Sequence, residues 1–244
     1  MKEWFENWFD SPYYHILYAH RSDTEAIQFV EKLVAFLQTK PDDTLLDLAC
    51  GKGRHARAFS TFGLDVTGVD LSAQSIAFAK QFEHEHLHFF THDMRQTFRA
   101  NYFTFVCNLF TSFGYFKSEQ ENQMAAKSMA DALKSGGKLV VDFINEQAAR
   151  KYIDANQSES IRRDGIQFEI KRHYQDKKLL KDITVKDKEE IFHFQESVNS
   201  FTQEDFIQLF TSNGLTCLHT FGDYHLATYD VEHSPRMICI FEKQ

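Results

Sequence analysis

The chain is short of cysteine, of positive charge and of long apolar runs, and each shortage narrows what it can be. Its four cysteines, Cys50, Cys107, Cys217 and Cys239, lie far apart, with no Cys-x-x-Cys pair. That spacing argues against a disulfide framework and reads as reduced, mostly buried thiols of a cytosolic protein. Lysine and arginine number 27 against 35 acidic residues, a net charge of −8. This balance disfavours a broad nucleic-acid or anionic-membrane surface, though not a local basic pocket. No apolar run approaches membrane-spanning length. The N-terminus alternates charges with aromatics and lacks a signal peptide's apolar centre and cleavage site. The expectation is a soluble, cytoplasmic protein without internal repeats or low-complexity linkers. What the chain does have is 244 residues with 43% hydrophobic content, enough for one α/β domain carrying an insertion or a small cap.

The stretch 44–72 organises the rest. Leu45, Leu46 and Leu48 form a short apolar run, as in a strand buried on both faces. It ends in Cys50-Gly51-Lys52-Gly53, a sharp turn. A helix from Arg54 to Phe62 follows, stopped by Gly63, and Asp65–Asp70 reads as a second strand closing on a carboxylate. Glycines admit a ligand close to the main chain, and a helix N-terminus offers unpaired N–H groups. A carboxylate ending the second strand suits the two hydroxyls of a ribose. The spacing of Gly51, Gly53 and Ala56 also fits the G-x-G-x-x-A dinucleotide fingerprint, which leaves a nicotinamide-dependent oxidoreductase open at this point.

Asp47-Leu48-Ala49-Cys50-Gly51-Lys52-Gly53 resembles the acidic-x-Gly-x-Gly-x-Gly turn of class I S-adenosylmethionine-dependent methyltransferases, with Ala49 in place of the first glycine. The phrase Leu133-Lys134-Ser135-Gly136-Gly137 before the apolar run Lys138–Phe143 is similar to the entry of that family's fifth strand. The resemblance covers roughly residues 20–155 and 200–242. It implies S-adenosylmethionine as cofactor. It also implies an α/β fold: a Rossmann-like seven-stranded methyltransferase sheet with an antiparallel last strand, plus an inserted antiparallel β cap. On it, Asp47 orients the turn or meets the cofactor's ammonium group, while Ala49, Cys50, Gly51 and Gly53 contact its methionine portion. Asp70 meets the ribose, Leu71 is a further cofactor contact, Asp93 hydrogen-bonds the adenine amino group, Met94 lies against the ring, and Asn108 sits near the methyl group.

Residues 1–21 are dense in aromatics and read as an arm packed on the core or a lid over the pocket. Aromatic faces suit a cationic sulfonium. By resemblance to small-molecule methyltransferases, Tyr14, Tyr18 and Arg21 are cofactor candidates. Ser22-Asp23-Thr24-Glu25 has capping-box spacing and opens a helix whose apolar positions are Ala26, Ile27, Val30, Leu33, Val34 and Leu37. His84, His86 and His88 share one face if extended, but no second cluster accompanies them, so an edge-strand surface is preferred to a metal site. Phe103–Cys107 is the fourth strand. The segment after it, Asn108-Leu109-Phe110-Thr111, lacks the prolines of enzymes that methylate DNA adenine, and resembles the loop of small-molecule methyltransferases. Ser112 and Tyr115 are substrate-side candidates there. Ser118-Glu119-Gln120-Glu121 caps the next helix. From about Ser160 to Val198 apolar and polar residues alternate, as in a three-stranded antiparallel meander. Its place in the chain matches the cap of glycine and nucleotide-sugar N-methyltransferases, and a dimerisation sheet is the compatible alternative. Thr202-Gln203-Glu204-Asp205 opens a last helix, followed by strands at Leu215–Phe221 and Met237–Phe241. His225 lies on the loop between them and could reach the pocket rim.

The expected division is therefore an arm at 1–21, a cofactor-binding domain at 22–155 and 200–244, and a cap at 156–199. The expected function is methyl transfer to a nucleophile on a small or medium molecule. An amine needs only to be neutral, whereas a hydroxyl needs a positioned base. No base is identifiable, which favours nitrogen or an intrinsically acidic acceptor. The alternatives are an RNA-modifying methyltransferase, the nicotinamide-dependent enzyme, and a catalytically idle module that keeps the cofactor pocket. No metal and no membrane partner is expected.

Overall fold

The computed structural model describes residues 4–19 and 23–244; Arg21 and Ser22, both named above, lie outside them. Two short helices, α1 (Trp4–Phe9) and α2 (Pro12–Leu17), open the chain. Ser11 caps α2 by accepting from the Tyr13 N–H, and Pro12 supplies the fixed φ of a first turn. Helix α3 (Asp23–Leu37) buries Ala26, Phe29, Val30, Leu33 and Leu37, whereas Ile27 is half exposed. Then follow β1 (Thr44–Leu48), α4 (Arg54–Ser60), β2 (Asp65–Asp70), α5 (Ala73–Ala79), β3 (Leu87–Thr91), β4 (Phe103–Asn108) and α6 (Glu119–Ala132). Ser118 and Glu121 close the expected capping box on α6. Strand β5 (Leu133–Ile144) starts five residues before the expected Lys138, because the chain pairs Leu133 with Phe103 ahead of a bulge.

Strands β1 to β5 pair in parallel. The final strands, β10 (Leu215–Phe221) and β11 (Arg236–Lys243), complete a seven-stranded sheet of order β10-β11-β5-β4-β1-β2-β3. β11 runs antiparallel to both neighbours, as expected. Side chains alternate across a strand, so Leu46, Val106, Val141 and Phe143 face one core and Leu45, Phe105, Cys107 and Val140 the other. Helix α6 and α8 (Gln203–Thr211) cover the first face; α3, α4 and α5 cover the second. With apolar groups on both sides the strands read as continuous apolar runs, which is why they were visible in the sequence. β3 forms one edge, and His84, His86 and His88 are solvent-exposed there.

Between β5 and α8 the chain forms α7 (Glu146–Ala155) and a separate four-stranded antiparallel sheet: β6 (Ser158–Arg163), β7 (Ile166–Gln175), β8 (Lys178–Asp187) and β9 (Glu190–Asn199). The meander expected to have three strands has four. The added strand, Ser-Glu-Ser-Ile-Arg-Arg, is a polar edge strand held by pairing with β7, so it carries no apolar alternation to announce it. One face of this sheet makes a third core with the arm. Trp8 and Leu17 are buried against Phe168, Ile170, Ile183 and Val185, and the Trp8 ring lies 4.7 Å from that of Phe194.

Candidate functional site

The turn after β1 is built on a left-handed backbone. Ala49, Gly51 and Gly53 have φ of 63°, 56° and 80°. At Ala49 a side chain with a Cβ stands in the left-handed region, so the turn is strained where the first glycine of the resembled pattern would sit. A Cβ on Gly51 would meet nothing within 4 Å, so its main chain faces open space. Asp70 fastens this turn to β2: one oxygen accepts the Gly51 N–H at 2.8 Å and the other the Ser72 N–H at 2.8 Å. Burial raises the Asp70 carboxyl and these backbone donors lower it, leaving it above its ordinary value.

Behind the turn, Asp47 is buried, and burial pushes its carboxyl up to about 7, against the pull of the Ala56 N–H. Its Oδ2 and the Oδ1 of the buried Asn108 find no hydrogen-bond partner among the described residues. Each is a buried acceptor whose desolvation is uncompensated.

A cavity of ≈330 Å³ opens at the carboxyl ends of β1, β2 and β4, where ligands bind open α/β sheets. The turn side contributes Ala49, Cys50, Gly51, Lys52, Arg54 and His55, with Asp70, Leu71, Asp93 and Met94 beside them. The loop after β4 contributes Phe110, Ser112, Tyr115 and Phe116. From the arm come Phe5, Phe9, Tyr14, His15 and Tyr18, and from β9 comes Glu196. Burial pushes the His55 imidazole down to about 3, so it is neutral at physiological pH. His15 is also lowered, by burial and then by Lys52.

Most of the residues singled out from the sequence line this cavity, and four do not. Gly53 is turned away from it: a Cβ there would come within 2.6 Å of the Phe89 ring, so packing accounts for its glycine. Asp47 is buried behind the turn and is not among the residues that line the cavity. Asn108 is fully buried and donates to the Leu48 carbonyl at 2.9 Å, tying β4 to β1, and is not among the lining groups. His225 is exposed and outside the lining, on a turn organised by Asp223. Asp93 lines the cavity, but Arg95 grips its carboxylate with N–O distances of 2.6–3.1 Å. Burial works to raise Asp93, and the Arg95 contacts outweigh it and hold the carboxyl low. Ser112 and Tyr115 both reach the cavity, with hydroxyls that donate to the carbonyls of Leu109 and Thr111.

Two further features escaped the sequence reading. The first is Glu196, at an inward register of β9 after Phe192 and Phe194. A carboxylate breaking an apolar alternation was its only signal. The second is the anchor of the loop after β4. Phe110 and Thr111 hold φ of 66° and 58°, a conformation costing about 1–3 kcal/mol per non-glycine residue. Fully buried Asp142 keeps them there: its Oδ2 accepts the Phe110 N–H at 2.8 Å and the Tyr224 hydroxyl at 3.2 Å. Its Oδ1 accepts the Arg236 Nε–H at 2.8 Å, and Arg236 donates on to Thr111 Oγ1 at 2.8 Å.

Residues 45–137 match the family described as "Methyltransferase domain". A dTDP-3-amino-3,4,6-trideoxy-alpha-D-glucopyranose N,N-dimethyltransferase of Streptomyces venezuelae is 34% identical over 131 residues, 52% of this chain and 53% of that protein. The match thus spans about half of that relative's length. Among solved structures, Streptomyces venezuelae DesVI superposes with a TM-score of 0.68 at 26% identity, over 95% of this chain and 97% of the other. An S-adenosylmethionine-dependent methyltransferase from Clostridium acetobutylicum superposes at 0.78 and 17% identity, over 95% and 96%; at that identity the likeness is one of fold. The glycine turn clamped by the carboxylate of β2, the antiparallel β11 between β5 and β10, and these matches agree. Residues 45–137 match a methyltransferase domain, and the chain has the fold of S-adenosylmethionine-dependent methyltransferases.

Proposed function

We propose that this protein transfers the methyl group of S-adenosylmethionine to an amino group of a small molecule, with an aminodeoxysugar nucleotide as the acceptor class to test first. The observation that carries this reading is the cavity itself. One wall is the glycine turn with Asp70, and the other is an aromatic chamber closed by the arm and the second sheet. The sugar N,N-dimethyltransferase relative supports the acceptor class.

The site fits the cofactor. Gly51 faces open space, Asp70 has lone pairs left for the ribose hydroxyls after its two N–H contacts, and Asp47 keeps an unpartnered oxygen behind the turn. In this reading Ala49, Cys50 and Gly51 meet the methionine portion, Leu71 the ribose, and Met94 the adenine face. Asp93, gripped by Arg95, would meet the adenine amino group only through its remaining lone pairs. When bound, S-adenosylmethionine supplies an activated methyl on a cationic sulfur. The chain's own task is then to position the acceptor and exclude water. Tyr14, Tyr18 and Tyr115 offer aromatic faces and hydroxyls to a cation. The arm acts as a lid and the 156–199 segment as a cap.

Calorimetry with S-adenosylmethionine, with NAD as control ligand, tests the cofactor. The wild type binds S-adenosylmethionine selectively, and Asp70→Ala loses at least about tenfold in affinity, ~1.4 kcal/mol. The acceptor is then tested with dTDP-3-amino-3,4,6-trideoxy-alpha-D-glucopyranose, watching for a mass gain of one or two methyl groups. Folded protein that binds NAD, or neither ligand, overturns the reading.

A further inference from the structure

We propose that Glu196 is the catalytic group that takes the proton from the amine acceptor before methyl transfer. This deepens the amine-methylating reading above and rests on it. Among the described residues, three carboxylates line the cavity: Asp70, Asp93 and Glu196. Asp70 is engaged by two backbone N–H groups and Asp93 by the Arg95 fork. Both stand on the cofactor side. Glu196 enters with the second sheet, among aromatic rings of the arm and the loop after β4, where an acceptor would be enclosed.

Glu196 is held firmly for this task. Its Oε1 accepts from Trp8 Nε1 at 2.7 Å and from the Tyr18 hydroxyl at 2.7 Å. Lys181, its direct cross-strand partner on β8, places Nζ 3.7 Å from Oε2 and donates to the Tyr18 hydroxyl. A carboxylate has about four acceptor positions, and two are used on Oε1, so the orientation is fixed with capacity to spare. Among the described residues, the titratable and charged groups around it are Lys181 from β8, Tyr14 and His15 from α2, and Tyr18 just after that helix. Across the cavity stand Asp70, Asp93, Lys52 and Arg54.

The chemistry balances without another reactant. An aliphatic amine with a pKa of about 8–10 arrives as its ammonium ion at neutral pH. An N–H bond breaks, an O–H bond forms on Glu196, and nitrogen keeps the electron pair. That pair forms the N–C bond as the C–S bond breaks, giving the methylammonium product and S-adenosylhomocysteine. The Glu196 side chain is 17% exposed, so its proton can return to water.

The test is Glu196→Gln, which keeps a carbonyl to accept from Trp8 and Tyr18 but cannot take a proton. The acceptor is the aminodeoxysugar nucleotide named above. At pH 7, kcat/KM should fall about 100-fold, within the range of about 10²–10⁴ for general bases. The deficit should close as pH rises to about 9.5, where the free amine forms unaided. Calorimetric affinity for the amine in the presence of S-adenosylhomocysteine should fall at least about tenfold at pH 7. Affinity for S-adenosylmethionine should not change, nor should the far-ultraviolet circular dichroism. A loss of rate equal at every pH, or no loss, overturns the proposal while amine methylation stands. A wild type that binds the cofactor yet methylates no amine overturns both.

Discussion

Replacing Arg236 with methionine should be among the most damaging single changes in this protein, because of what it leaves behind. Asp142 is fully buried, and its Oδ1 contacts are both to Arg236, at 2.7 and 2.8 Å. Without the guanidinium, Asp142 keeps the Phe110 N–H and the Tyr224 hydroxyl, two neutral donors on its other oxygen. Stranding one charge of a buried pair costs about 3–5 kcal/mol. Part of that is returned if Phe110 and Thr111 relax from their left-handed conformations, so the lower end is expected. Against a total stability of about 5–15 kcal/mol this is a large fraction. At about 2–4 °C per kcal/mol for a chain of this size, the melting temperature should drop by roughly 6–12 °C. The decisive comparison is with Asp142→Asn/Arg236→Met, which removes both charges and leaves a neutral side chain able to serve Phe110 and Tyr224. The double variant should be more stable than Arg236→Met alone. Urea unfolding of wild type, both single variants and the double closes the cycle. If Arg236→Met lies within about 1 kcal/mol of wild type, or the double variant is no better than Arg236→Met, the buried-charge account is wrong.

Three other substitutions test the turn and the strands beside it. Gly68→Ala on β2 drives a Cβ to 2.6 Å from the buried Phe89 ring and 3.0 Å from Cys50 Sγ, and should cost about 1–3 kcal/mol in thermal or urea unfolding; Gly51→Ala, with open space but φ of 56°, should cost less stability and more cofactor affinity. Asp47, with its carboxyl raised to about 7 in the fold, stays protonated when folded while the unfolded chain ionises near pH 4, so its contribution is full below pH 4 and lost as pH rises to 7. The difference is about 4 kcal/mol at about 1.36 kcal/mol per pH unit; Asp47→Asn should flatten the fall in stability between pH 4 and 7, and parallel pH curves for the two proteins would refute the burial argument.

The cofactor side of the cavity was legible because its information is contiguous. One stretch of 29 residues, 44–72, supplies a strand buried on both faces, a turn and a second strand ending in Asp70, and each leaves a local signature. The capping boxes at Ser118 and Thr202 were readable for the same reason. Local resemblance was weaker where side-chain direction mattered. Asn108 ends β4 as expected, but its amide turns into the sheet to the Leu48 carbonyl, and Gly53 serves the packing of Phe89. Asp142 and Arg236 are 94 residues apart, and their pairing follows from the antiparallel docking of β11 on β5. No window along the chain contains both.

The acceptor side was obscure for a deeper reason. Its groups belong to the arm, to a strained loop and to β9, three segments far apart in the chain that meet only in the fold. The arm and that sheet share a core, Trp8 and Leu17 with Phe168, Ile170, Ile183 and Val185, which is separate from the two cores of the seven-stranded sheet. Substitutions in this third core can reshape the chamber around an acceptor while leaving Gly51 and Asp70 on the scaffold that holds them. The loop after β4 is the exception. Phe110 and Thr111 are fixed from the seven-stranded sheet itself, through Asp142 on β5 and Arg236 on β11. That gives the chamber one wall anchored outside the second sheet. Acceptor choice is therefore expected to follow the arm and β9, and the placement of the acceptor against the cofactor to follow the loop.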